Sequence, residues 1–200
     1  SAGDTSQRGQ SGELPVTDSD WINPLAEAFL DAAAGAGIPR APDYNSGFQF
    51  GSGYFQRYIH KGRRVSSAKA FLRPALKRPN VSLRTHAQVV RLEMEGTKAT
   101  GITYRDGSDG EHTVAAAREV ILSAGAANSP KILQISGIGA PDHLQEIGVP
   151  VRHALPGVGE NLRDHYSPRV RFEITEKGAT FNDNGRGWRL GREAIKYALT

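Results

Sequence analysis

The sequence contains no cysteine, which removes structural disulfides, thiolate nucleophiles and cysteine-held metals from consideration. Its histidines, His60, His86, His112, His143, His153 and His165, never fall three or four residues apart, so the helical His pair of a zinc site is missing as well. No apolar run approaches the ~20 residues of a membrane-spanning helix. The chain does not open with a charged segment followed by an apolar core, which sets the expectation of a cytoplasmic location. Three nucleotide and nucleophile motifs are absent too: G-x-G-x-x-G, G-x-x-x-x-G-K-[ST] and G-x-S-x-G. Acidic residues vanish between Asp43 and Glu93, whereas ten basic ones, from Arg57 through Arg84 to Arg91, fall there. Such a field can attract an anion, so a basic nucleotide- or nucleic-acid-binding module without catalysis stands as one reading. Against it, the aromatics of this region form no RNA-binding signature and the basic residues are spread over several segments.

What is present is ordinary globular composition, 38% hydrophobic and 23% charged over 200 residues, enough for one domain or pieces of two. Residues 1–13 lack apolar periodicity and read as a mobile end. Asn23 and Pro24 cap and start a helix that repeats Leu25, Ala28, Phe29 and Ala32 before Gly35 and Gly37 stop it. "YNSGFQFGSGYFQRYIHKGRR" mixes aromatics with glycines and reads as strand and loop. Ser66 or Ser67 caps a short helix that Pro74 breaks or kinks.

From Val81 the period becomes that of strands: "VSLRT", "QVVRLEME", "ATGITYR" and "EHTVAAA", separated by turns at "GTK" and "DGSDG". "EVILSA" follows as a continuous apolar run, expected to be a strand covered on both faces. Ser129 and Pro130 start a helix ended by Gly137, and "APDHLQEIG" gives another ended by Gly148. "PVRHALPGVGENLRDH" is a punctuated loop, "RVRFEI" a strand and "GWRLGREAIKYALT" an amphipathic helix. The small-residue turn at Ala124, Gly125, Ala126 and Ala127, feeding a helix N-terminus, lets a ligand approach the backbone and favours negative charge. The same residues would also serve a tight connection with no ligand at all.

"GAANSPKILQISGIG" resembles the second signature of the glucose-methanol-choline family of flavin oxidoreductases. Ala126, Ser129, Pro130, Ile132, Leu133, Ser136, Gly137, Ile138 and Gly139 fill its constrained positions. "LPGVGENLRDH" is similar to the family's Pro-Gly-Val-Gly-x-Asn-Leu-x-Asp-His loop, and "DYNSGFQFGSGYFQ" resembles its choline dehydrogenase-like branch. The resemblance runs from about Leu14 onward. It implies an α/β fold of mixed α+β pieces, part of an FAD/NAD(P)-binding-type domain with a β-meander, interleaved with part of a substrate domain. Residues 1–80 would belong to the substrate domain, 81–165 to the FAD domain, and 166–200 to the substrate domain again.

Also implied is a fragment of an FAD-dependent enzyme that oxidises the CH–OH group of a small alcohol by hydride transfer to flavin. The electron acceptor, whether oxygen, a quinone or another, stays open, and neither a nucleic-acid partner nor a membrane span is expected. Thr85, Ala87 and Val89 match the family strand whose valine backbone meets the adenine of FAD, which makes Val89 a cofactor candidate. Ala124, Gly125 and Ala126 map onto the turn beside the ADP part. Asp164 and His165 fall in a structural loop and receive no catalytic role. The glycine fingerprint and the catalytic histidine of the family lie outside these residues, so the segment alone is expected to be inactive.

Overall fold

The computed structural model describes residues 9, 11–20, 22–107, 110–175 and 180–199; most of the expected mobile end and the centre of the "DGSDG" turn lie outside them. The chain divides into two compact units, one of Ser1–Ser82 with Val170–Thr200 and one of Leu83–Arg169.

In the first unit, the Asn23 carboxamide oxygen accepts the amides of Leu25 at 2.8 Å and Ala26 at 3.4 Å. With Pro24 in the first turn, these bonds start α1, Pro24–Gly35, which buries Leu30 and Ala33. The following segment closes on itself: the Ala41 amide donates to Ser52 and the Ser52 amide to Pro39. Gly53 passes so close to the Ala41 carbonyl that a side chain would collide with it. The strand-and-loop expectation for this region holds, ending in the hairpin of β1, Ile59–His60, and β2, Arg63–Arg64. The Ser66 hydroxyl accepts the Lys69 amide at 3.3 Å. The helix there is not regular: a wide π-type turn over Ala68–Leu72 tightens into α2, Arg73–Ala75, with Pro74 in its first turn.

The second unit is built on an antiparallel meander of β3, Gln88–Glu95, β4, Lys98–Arg105, and β5, Glu111–Ala115. A register shift between Val89 and Arg91 interrupts the alternation of β3, so that Val89 and Leu92, three residues apart, reach the same core. Leu92 joins Ile132 and Ile138 in the core, with Val89, Met94 and Ile102 packed around them. The other face carries a polar ladder. Thr103 donates to Glu93 at 2.5 Å and shares a 2.9 Å hydroxyl contact with Thr113, while Arg91 bridges Glu93 and Glu111, both at 2.9 Å.

Three expected strands do not form. "VSLRT", "EVILSA" and "RVRFEI" run without strand partners, and Ile121, Val170 and Phe172 are 79%, 74% and 75% exposed. Their composition suits a sheet, but β-propensity is realised only against neighbouring strands, and none of the described residues lies alongside to pair with them.

After the meander come α3, Gly125–Ile135; β6, Ile138–Gly139; α4, Pro141–Glu146; and β7, His153–Ala154, which pairs in parallel with β6. Leu144 of α4 is fully buried. Back in the first unit, α5, Phe181–Asn184, precedes α6, Gly187–Leu199. One stripe of α6 carries Trp188, Ile195 and Leu199, and the basic residues Arg189, Arg192 and Lys196 flank it, with the Arg189 and Arg192 guanidinium groups 5.8 and 5.5 Å from the Trp188 ring centre. The Tyr197 hydroxyl ties the helix to the Gly62 carbonyl at 3.2 Å.

Candidate functional site

The bend before α3 is open. Gly125 has φ of +89°, and no atom lies within 4 Å of where its Cβ would stand. That conformation suits glycine, and the vacant space beside it leaves the backbone approachable. Ala124, Gly125, Ala126 and Ala127 are exposed, and no side chain caps the first turn of α3. Instead, the Ser129 hydroxyl accepts the Ala124 amide at 3.0 Å, folding the approach back on the helix.

The helix begins a turn earlier than its Ser-Pro pair suggests. Pro130 lies inside it rather than at its start. Proline costs little there because the lost bond would have run to the Ala126 carbonyl, in the first turn and facing open space. The consequence is chemical: around Ala126, the helix offers unpaired amides and a carbonyl that lacks its usual donor.

A groove of about 330 Å³ runs along this end of α3. Ala126, Ala127, Pro130, Lys131 and Gln134 line the helix side; Gly159, Glu160 and Leu162 line the other. Two residues of that loop have left-handed backbone, Gly159 at φ +89° and Asn161 at φ +57°. The "LPGVGEN" punctuation marks a loop in the sequence. Nothing in it says which helix the loop faces, so Lys131, Gln134, Gly159 and Glu160 were not legible as site residues.

Val89 sits in β3 opposite Tyr104, half-buried, and packs against the cluster that Ile132 contributes from α3. It is therefore a core strand residue whose neighbour cluster includes the same helix as the bend. The Ser136 hydroxyl, 5% exposed as a residue, accepts the Leu92 amide at 2.8 Å, locking the far end of α3 to β3. Asp164 and His165 are exposed, with the Asp164 carboxylate accepting the His165 amide at 2.8 Å.

Carboxylates displaced from their ordinary range lie elsewhere. Thr103's hydroxyl holds Glu93 low, and Arg91 holds Glu111 low. Among the described residues no group of acidic or histidine side chains could hold a metal. The groove is thus equipped to bind through backbone and small residues, with Lys131 and Glu160 the ionisable side chains on its walls.

The family of GMC oxidoreductases matches residues 4–167. The chain is 46% identical over 169 residues to the oxygen-dependent choline dehydrogenase of Staphylococcus saprophyticus, covering 84% of this chain and 30% of that protein. It is 46% identical over 164 residues to the same-named protein of Staphylococcus xylosus, covering 82% and 29%. Among solved structures, pyridoxine 4-oxidase from Mesorbium loti superposes with a TM-score of 0.69 at 37% identity, covering 74% of this chain and 29% of that one. An FAD-dependent oxidoreductase from Chaetomium thermophilum gives a TM-score of 0.71 at 31% identity, covering 78% and 27%. The chain thus spans about 30% of the length of the curated relatives it matches. With the signature residues running from α3 into β6 and the match running through most of both units, the chain belongs to the GMC oxidoreductase family.

Proposed function

We propose that this chain forms one wall of an FAD site in an enzyme that oxidises the CH–OH group of a small alcohol, with choline as the substrate class suggested by its relatives. The observation that carries the reading is the glycine-led, uncapped N-terminus of α3 beside an open groove. A dinucleotide presents phosphate charge, ribose hydroxyls and an adenine edge. Unpaired helix amides suit the first, and backbone groups reached without side-chain obstruction suit the others. The residues present therefore fit such a group. Ala124, Gly125 and Ala126 would meet its ADP part, and the Val89 backbone would stand at the adenine.

When bound, FAD supplies the two-electron acceptance that no amino-acid side chain offers. This chain's own residues bind and orient. Gly125 keeps the approach clear, the amides of the first turn of α3 receive charge, and Ser129 and Ser136 fix the two ends of the helix. In this reading Leu83–Arg169 is the flavin-side unit, and Ser1–Ser82 with Val170–Thr200 is the substrate-side unit. The segment by itself is proposed to be inactive. Purification of the full-length protein tests the reading. Bound, extractable FAD and choline-dependent reduction of an acceptor support it; a colourless protein that takes up no added FAD refutes it.

A further inference from the structure

We propose that Gln134 is a positioning residue: it sets the spacing between α3 and the 155–162 loop, and with it the width of the groove assigned above to FAD. The inference rests on that assignment. Gln134 lies on α3, two residues before Ser136, at a position the family signature leaves unconstrained. Its side-chain nitrogen donates to the Val158 carbonyl at 3.3 Å, across 24 residues of chain. That same nitrogen stands 2.8 Å from where a Cβ on Gly159 would lie, and its Cγ stands 3.4 Å from the corresponding point on Gly139.

One side chain therefore occupies the space left by two glycines and ties the loop to the helix. The loop's own bonds are local: Val158 amide to Leu155 carbonyl at 3.1 Å and Glu160 amide to Gly157 carbonyl at 3.3 Å. The Leu155 amide is anchored to Gly139 at 2.9 Å, and the Val158 side chain packs on the core. Past Val158 the chain lines the groove at Gly159, Glu160 and Leu162, and residues 159–162 are exposed. Gln134 is the side chain that reaches this boundary between anchored and exposed loop. A methionine would fill the same volume but could not donate to Val158, so size and hydrogen bonding can be separated.

The test uses the full-length protein stripped of flavin. Gln134→Met, Gln134→Ala and Gly159→Ala are compared with wild type by FAD titration, by amide exchange over residues 155–162 without FAD, and by thermal midpoint. Gln134→Met is expected to weaken FAD binding about five-fold, the scale of one modest hydrogen bond, and to speed exchange over 155–162, with an almost unchanged midpoint. Gly159→Ala displaces the Gln134 amide as well as straining its own backbone, so combining it with Gln134→Met should weaken binding by less than the product of the single losses. FAD affinity equal to wild type in Gln134→Met, or unchanged exchange over 155–162, overturns the proposal. Should Gln134→Ala fail to fold, the volume-conserving methionine variant decides. Should wild type take up no FAD, the assignment of the groove falls with this proposal's premise, whereas loss of binding confined to the variants upholds both.

Discussion

The Ser136 hydroxyl accepts the Leu92 amide at 2.8 Å and donates to the Ile132 carbonyl at 2.6 Å. One buried oxygen thereby joins the last turn of α3 to the strand that carries Val89. The serine of the Ser-Gly-Ile-Gly signature is explained by that junction: it holds the helix bearing the open bend against the meander.

Ser136→Ala should therefore act on stability first. Removing the hydroxyl leaves the Leu92 amide without its partner in a buried setting, a loss of about 1–3 kcal/mol. Denaturant unfolding of the protein checks this, and FAD affinity should change less than the unfolding midpoint.

The glycines of the two α3 ends separate structure from binding. At Gly137 (φ +83°) a Cβ would meet the Pro150 carbonyl at 2.5 Å and Arg152 Cγ at 2.9 Å, whereas at Gly125 (φ +89°) it would meet nothing within 4 Å. Gly125→Ala should cost only the left-handed backbone penalty of about 1–2 kcal/mol, while weakening FAD binding. Gly137→Ala carries that penalty plus the clash and should depress the thermal midpoint further. Paired melting and FAD titration of the two variants distinguishes them.

Acidification should loosen the polar ladder of the meander. A hydrogen bond from Thr103 holds Glu93 below the ordinary glutamate value of 4.5, and one from Arg91 does the same for Glu111. The folded state thus binds fewer protons than the unfolded one in mild acid. Its stabilisation is complete above the ordinary value and drains as pH falls through the lowered ones. Both carboxylates are partly exposed, 31% and 40%, so the effect should be modest. The double variant Glu93→Gln with Glu111→Gln should show a flatter fall of thermal midpoint between about pH 5 and about pH 3.

Burial, rather than ion pairing, should dominate single-site stability. Arg40 meets Glu27 at 2.9 Å and Asp31 at 2.6 Å with its own side chain 42% exposed. Arg40→Ala should leave the unfolding midpoint almost unchanged, because exposed ion pairs are screened by solvent. Leu144, fully buried, should cost about 2–5 kcal/mol on change to alanine. Chemical denaturation of both variants makes the comparison.

The sequence made the local elements legible and left the pairings hidden. Asn23 with Pro24, the β-branched and apolar run with the turn at Gly96 between β3 and β4, and Gly137 and Gly148 as stops each encode their element within a few residues. "EVILSA" shows the limit. A continuous apolar run says that a segment is suited to burial, but the strands that would flank it are encoded elsewhere, and Ile121 stands exposed. Pro130 misplaced the start of α3 because proline favours a first turn yet is tolerated wherever the bond it deletes is already near a helix end. Of the candidate site, the small-residue bend at Ala124 to Ala126 stands out in the sequence, and of these residues Ala126 lines the groove. The opposite wall could not, because Gln134 meets Val158 across 24 residues and no local pattern records that meeting.

Placement of the phosphate-bearing part of FAD at the Gly125 bend is decided by titrating full-length apoprotein with FAD, wild type beside Gly125→Asp. Aspartate suits both a helix's first turn and a left-handed backbone better than most residues, so the variant should keep its thermal midpoint within a few degrees. Wild type should bind FAD stoichiometrically, and the introduced carboxylate should weaken binding at least about tenfold, or about 1.4 kcal/mol. Equal affinity in the two proteins, or no binding by wild type, would contradict that placement.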